Sequence, residues 1–499
     1  MSLSTALNII NSAFVTNAAQ SAVIANNVSN ATTTGYNREI ANVVGNYSGG
    51  ATVVSVTREA NTALLEQVNA STSQAGYQQA LSDGLTTLAN TVSDSSTATS
   101  TSGSEVNGNS PSAMLANLQS ALETYDASPS SSSAGQGVVT AAQDLASSLN
   151  TGASAVYSVQ EQADSGMSSA VNTINSLLTQ FTSVNATIVS GTASGADIAS
   201  AEDTRDSILT QLSQQIGIST VSNPDGSTSI YTDSGATLFQ GGQASTLTFT
   251  PTATYAAGVS GNQVMVDGVA ITGSSSPMAI QSGALAGYEN LRDVVAPQYG
   301  AQLDQIADGL ISAFSESDQT NGGNPTLPGL FTFSGATSVP SNSDATGLAS
   351  EIEVNAAVDP SQGGSVDLLR DGGINGTNYV YNTTGAASYT GHIEDMISAL
   401  TTNQSFSATA GLGTSDSLSD YADASVSWLQ NQNQQASNQL DYENSVVSQA
   451  KTALSNATGV NLDTELTNML SIENSYETTS KLLTTADAMF NALIDAMPS

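Results

Sequence analysis

The chain has 499 residues, room for two to four domains, and 43 acidic residues against 7 basic ones give it a formal net charge of −36. The acidic count is ordinary for the length and the scarcity is of Lys and Arg. That excludes the clustered bases a nucleic acid or an anionic membrane surface requires. There is no cysteine, which also excludes disulfides, thiolate nucleophiles and Cys-ligated metals. The N-terminus has neither the basic nor the apolar segment of a cleaved signal, and no apolar run nears the ~18 residues of a membrane span. Export, if any, is expected by a route that reads no such signal.

Leu3, Leu7, Ile10, Phe14, Ile24, Val28 and Ala31 recur at four- and three-residue spacings. They predict a helix over 3–31 that packs along another helix, with Asn17 and Ser21 as polar members of the seam. Its outward face is nearly uncharged, the first charged residue being Arg38. Asn, Thr and Gly end the helix, Gly35 suiting a left-handed turn, and Thr52–Val56 reads as a short strand. From 61 to 220 the chain reads mostly helical, with loops at 93–110 and 128–133. One seam runs Val171, Ile174, Leu178, Phe181, Ile188 around Asn185, and a further helix spans 201–216. Residues 218–287 switch to short β runs between Gly and Asn-Pro-Asp-Gly turns. Helix returns over 288–316. Residues 318–415 read as irregular, with short β candidates and a helical patch at 392–400. A seam from Ala422 to Leu454 follows, then a phase shift at 456–459. Last come Leu462, Leu466, Met469, Tyr476, Leu483, Phe490, Ile494 and Met497, with Leu482, Ala486, Met489 and Leu493 as a second stripe beside them. So wide an apolar arc needs more than one neighbour.

The first helix runs into Asn27-x-x-Asn30-x-x-Thr33-x-Gly35-Tyr36-x-Arg38, and the last carries Leu462-Asp463-x-Glu465-Leu466 and Thr485-Ala486-Asp487-x-Met489-Phe490. Both ends resemble the signatures of bacterial flagellar axial proteins of the rod, hook and hook-associated group. Glu202-Asp203-x-Arg205-Asp206 with the Ile208-Leu209 that follows, and Ser282-Gly283-x-Leu285-x-Gly287, are similar to the helical region of the hook–filament junction family within it. The resemblance implies a structural component of the flagellum and not an enzyme. Such a subunit joins hook to filament as a ring of self-associating copies, is exported by the flagellar type III route without a cleaved signal, and ends outside the cell. Its implied partners are further copies of itself, the hook protein, a second hook-associated junction protein, and an export chaperone on the C-terminal segment. Nucleic acid, membrane and cofactors are not among them. Another axial protein (hook or distal rod) and a secreted acidic adhesin are the alternatives.

The expected architecture is mainly α with inserted β-rich outer domains. The terminal helices form an antiparallel coiled-coil-like core in a nested, multi-domain chain. In residues, 1–60 pairs with 460–499. A helical shaft at 61–217 is completed by 288–317 and 416–459, with insertions at 218–287 and 318–415. No catalytic or metal residues are nominated. His392, the single histidine, has no partner for a zinc site or triad and is expected at the surface or locally hydrogen-bonded. Trp428 reads as packing. The Glu202 to Asp206 group has two readings, a solvated i,i+3 pair or a knot anchoring its helix to a neighbour.

Overall fold

The computed structural model describes residues 3–45, 49–93, 108–341 and 345–496. Most of the loop expected at 93–110, and Met497, lie outside them. In chain order the helices and strands are α1 (Leu3–Asn30), β1 (Glu39–Gly45), β2 (Ala51–Arg58), α2 (Thr62–Ala89), α3 (Pro111–Ala127), α4 (Ser132–Ser194) and α5 (Ala199–Gln215). An inserted unit follows with β3 (Ile218–Ser222), β4 (Thr228–Thr232), β5 (Thr237–Gln240), β6 (Gln243–Ala244), β7 (Leu247–Thr248), β8 (Met265–Val266) and β9 (Val269–Ala270). Then come α6 (Ala284–Asn290), α7 (Ala296–Ala313), β10 (Phe331–Phe333), α8 (Leu348–Glu351), β11 (Ile352–Val354), α9 (Asp367–Asp371), α10 (Gly391–Thr401), β12 (Asn403–Ser405) and β13 (Ser415–Ser417). Two long helices close the chain, α11 (Leu418–Thr458) and α12 (Leu462–Asp495). The fold is mainly helical with small inserted sheets, as expected.

Helix α4 is the spine. The sequence pattern marks only its second half, because residues 132–170 are so rich in Ala, Ser and Gly that their seam is faint. Ser131 starts it by accepting the Ala134 N–H, and Gly195, left-handed at φ 70°, ends it. Asn185, the polar member of the seam, and Asn175 beside it have partners. Asn185 accepts the Thr228 N–H at 2.9 Å, and Asn175 pairs with both the N–H and the carbonyl of Leu247. The inserted sheets β3-β4-β5-β6 and β7-β8-β9 are thereby pinned to the spine.

Two apolar cores result. One gathers α2, α3, the first half of α4, α7 and α11, with Trp428 half-buried against it; the other joins the second half of α4, α5 and the inserted sheets. Segment 318–415 is irregular, and it is tied to the shaft. Its strands are three residues long, and Phe331, Leu348, Leu369, Ile393 and Leu400 are buried in the first core. At the candidate strand Tyr379–Tyr381, Tyr379 ends a 3-10 turn and only Val380 makes a β-bridge, to Gly372. Between α6 and α7 the helix widens into a π turn at Leu291–Val295. There Arg292, 1% exposed, meets Asp164 of α4 at 2.6 Å. Tyr255 and Thr252 of the insertion also donate to Asp164, so one buried ion pair ties insertion to spine.

His392 is not at the surface. It lies buried, stacked on Tyr381 at 4.1 Å between ring centroids, with Nδ1 lacking a hydrogen-bond partner. Burial pushes its imidazole down to about 4.

Candidate assembly interface

Helices α1 and α12 run antiparallel. Asn17 donates to the Ser475 hydroxyl at 3.0 Å, and the Phe14 and Tyr476 rings lie 5.9 Å apart. The other side of α1 rests on the β1–β2 ribbon, whose first strand the sequence reading missed. The Ser12 and Thr16 hydroxyls both donate to the Ala51 carbonyl at 2.6 Å.

The predicted motif at the end of α1 is a set of backbone substitutes. Buried Asn27 donates to the Glu39 carbonyl at 2.9 Å and accepts the Glu39 N–H at 2.8 Å, as a strand neighbour would. It also accepts the Tyr36 hydroxyl at 2.9 Å. Burial, with Glu39 adding to it, pushes that hydroxyl up, so it stays a donor. Asn30 caps the turn by accepting from Thr33. Gly35 holds φ 83° in open space, a left-handed position that an L side chain adopts only with strain.

From this turn two clamps reach out. Arg38 donates to Glu465 of α12 at 2.6 Å through Nε and to the Thr458 carbonyl of α11 through its N–H. Glu465 is 1% exposed. Asn37 gives both its N–H and its amide to Asp203, while Arg58 bridges Glu202, Asp203 and Asp206 at 3.0, 2.8 and 2.7 Å. The Glu202 to Asp206 group is thus a knot between α5 and the ribbon. What the sequence reading missed is Arg58, which no spacing rule connects to it.

The apolar residues predicted for the interface divide sharply. On α1, Ile10 and Ile24 are buried and Leu3, Leu7 and Phe14 half-buried, while Val28 is exposed. On α12 only Tyr476 and Leu483 are half-buried. Beside them on the face turned to α1 lie Ser475, bonded to Asn17, and the buried Thr479 and Ala486, while buried Glu465 meets Arg38 just past α1. Leu462, Leu466, Met469, Leu482, Met489, Phe490, Leu493 and Ile494 are all exposed, Met489 at 60% and Leu493 at 58%. At about 100° per residue, Leu462, Leu466, Met469 and Leu470 fall to one side of the α1-facing line. Leu482, Met489 and Leu493 fall to the other side. Phe490 and Ile494 continue the inner line opposite or beyond the described start of α1.

Among the described residues no group of acidic or histidine side chains is arranged to hold a metal, and no helix is long and apolar enough to cross a membrane.

By fold and surface the chain falls in the class of helical proteins whose two ends pair and whose middle is inserted between them. Residues 101–324 match the family described as the flagellar hook-associated protein FlgK helical domain, and residues 453–496 match the family described as flagellar basal body rod FlgEFG protein C-terminal. Both matches are to families of flagellar proteins, one over the middle of the chain and one over its C-terminal end. Among solved structures, the flagellar hook junction protein FlgK from Burkholderia pseudomallei aligns at 23% identity with a TM-score of 0.41. The alignment covers 54% of this chain and 46% of that one. No curated protein sequence gives a significant match.

Proposed function

We propose that the chain is a structural subunit of the bacterial flagellum, set in the joint between hook and filament, where copies associate into a ring. The observation that carries the reading is the exposed apolar surface of α12. A large apolar side chain left in water forgoes about 1.5–3 kcal/mol of burial, and a contiguous apolar patch marks a surface that meets a partner. Because the exposed residues lie on two sides of the helix, one partner on one face does not cover them. Contacts of that head-to-tail kind close into rings or run on as tubes.

In this reading 1–60 and 460–499 form the assembly unit and 61–217, 288–317 and 416–459 the shaft, with the segments between them as outer parts. The hook protein and a second junction protein flank the ring. The chain leaves the cell unfolded through the flagellar export route without a cleaved signal, a chaperone holding its C-terminal segment. The role is mechanical, with no chemistry assigned. Deleting the gene tests it: cells are expected to keep their hooks and lose their filaments, and antibody-labelled flagella to show the protein at the hook's outer end under the electron microscope. A second reading, a distal rod or hook subunit, is favoured by the C-terminal match, whose description names rod proteins. Loss of the hook itself would select it.

A further inference from the structure

We propose that the cleft between the terminal helical pair and the shaft receives an acidic surface segment of a second copy of this chain, with Lys451 as its counter-charge. The inference rests on the self-association reading above and names a contact distinct from the apolar faces of α12. The cleft has a volume of about 980 Å³, at the upper end of what binding sites offer. It is walled by the turn after α1, the start of α2, the middle of α5 and the last turns of α11, and both chain crossings between end unit and shaft, at 60–61 and 459–461, border it.

Its charge is what sets it apart. Arg58, Arg205 and Lys451 line it against two carboxylates, Glu66 and Asp206, in a chain whose net charge is −36. The two arginines are committed: Arg58 to Glu202, Asp203 and Asp206, and Arg205 to Glu202 and Asp206 at 3.8 and 3.5 Å. Arg205 nonetheless keeps a buried Nε without a hydrogen-bond partner on this wall. Of the seven basic residues, Arg38, Arg292, Arg370 and Lys481 are also in ion pairs. Lys451 is exposed and, among the described residues, has no ion-pair partner.

Copies carrying 43 acidic residues each repel one another wherever their surfaces meet, unless a contact places a cation against a carboxylate. Lys451 is the cation left uncommitted for that purpose, and exposed amide and hydroxyl groups such as Gln211, Asn444 and Ser448 along the cleft suit a polar, acidic segment. The occupant is therefore the chain's own acidic surface.

A zero-length carbodiimide, which joins an amine to a carboxylate in contact with it, tests this directly because the chain has only two lysines. Unlabelled and ¹⁵N-labelled full-length protein are mixed as monomers, concentrated until they associate, coupled and digested. The expected product is a mixed-label peptide joining Lys451 to an Asp or Glu of another copy, absent from dilute monomer. Lys451 coupled only within its own copy, or left unmodified in associated protein, overturns the proposal. Lys451→Glu is expected to raise the concentration needed for association roughly five- to tenfold at low salt, and Lys451→Arg to restore it, with monomer melting unchanged in both. If Phe490→Ser with Leu493→Ser abolishes association while Lys451→Glu leaves it intact, this inference falls and the self-association reading stands. Wild-type protein that never associates sinks both.

Discussion

At the scale of single residues, the junction between the ends is held by polar side chains doing the work of backbone. The Arg38–Glu465 pair is asymmetric: the arginine side chain is a quarter exposed, the carboxylate almost wholly buried. Removing the arginine strands a buried charge, whereas neutralising the acid leaves a guanidinium that water can still reach. Arg38→Ala is therefore expected to cost the end unit about 3 kcal/mol and Glu465→Gln about 1 kcal/mol, read as lost hydrogen-exchange protection along α12. Equal costs would contradict the assignment. His392 offers a second reading in pH. Its folded-state pKa of about 4 lies below the unfolded value of 6.5, burial outweighing the opposite pull of Asp395. The unfolded chain thus binds the extra proton first. The stability held by the neutral ring is intact above pH 6.5 and is lost as pH falls towards 4, by about 3 kcal/mol. His392→Gln is expected to remove that part of the acid slope, measured by urea unfolding at pH 7, 5.5 and 4.

At the scale of elements, α12 shows what periodicity can and cannot say. Its four-three apolar seam predicts a helix with an apolar stripe, and the helix is there. The pattern does not say whether the stripe's partner lies in the same chain. The face turned to α1 mixes the Tyr476 ring and the half-buried Ile472 and Leu483 with the small or polar Ser475, Thr479 and Ala486, and most of the large apolar side chains point out. Helix α1 divides differently, because the β1–β2 ribbon as well as α12 covers it. Since Phe490 and Leu493 touch so little within the monomer, Phe490→Ser with Leu493→Ser is expected to change monomer stability by no more than about 0.5 kcal/mol while abolishing association in sedimentation experiments. A large loss of monomer stability would show that these side chains are packed at home.

At the scale of the whole molecule, the ends and the switch to β at 218 were legible because long seams and turn-bounded β runs are local signals. Three things were not. Strand β1 reads Glu-Ile-Ala-Asn-Val-Val-Gly, without the alternation that would mark a half-buried strand, and it depends on pairing with β2. The first half of α4 packs through small residues that leave little apolar periodicity. Segment 318–415 is stabilised by long-range burial in the shaft core, which no local pattern reports. The cores divide the molecule in a way that can be measured. Neither apolar core contains a residue of α1 or α12, and the end unit is joined to the shaft by polar clamps. Truncation after Gly459 removes no core side chain and keeps the Thr458 carbonyl that Arg38 uses. It deletes Glu465 and uncovers Ile10 and Ile24, which share the α12-facing side of α1 with Phe14 and Asn17. The main unfolding transition is therefore expected to keep its midpoint and denaturant dependence. Residues before Arg38 become open to limited proteolysis, since few buried contacts remain to hold them, and association disappears with α12. A truncated chain that still associates, or whose shaft unfolds at markedly lower denaturant, would mean that the terminal helices belong to the shaft's fold and not to its contacts with other copies.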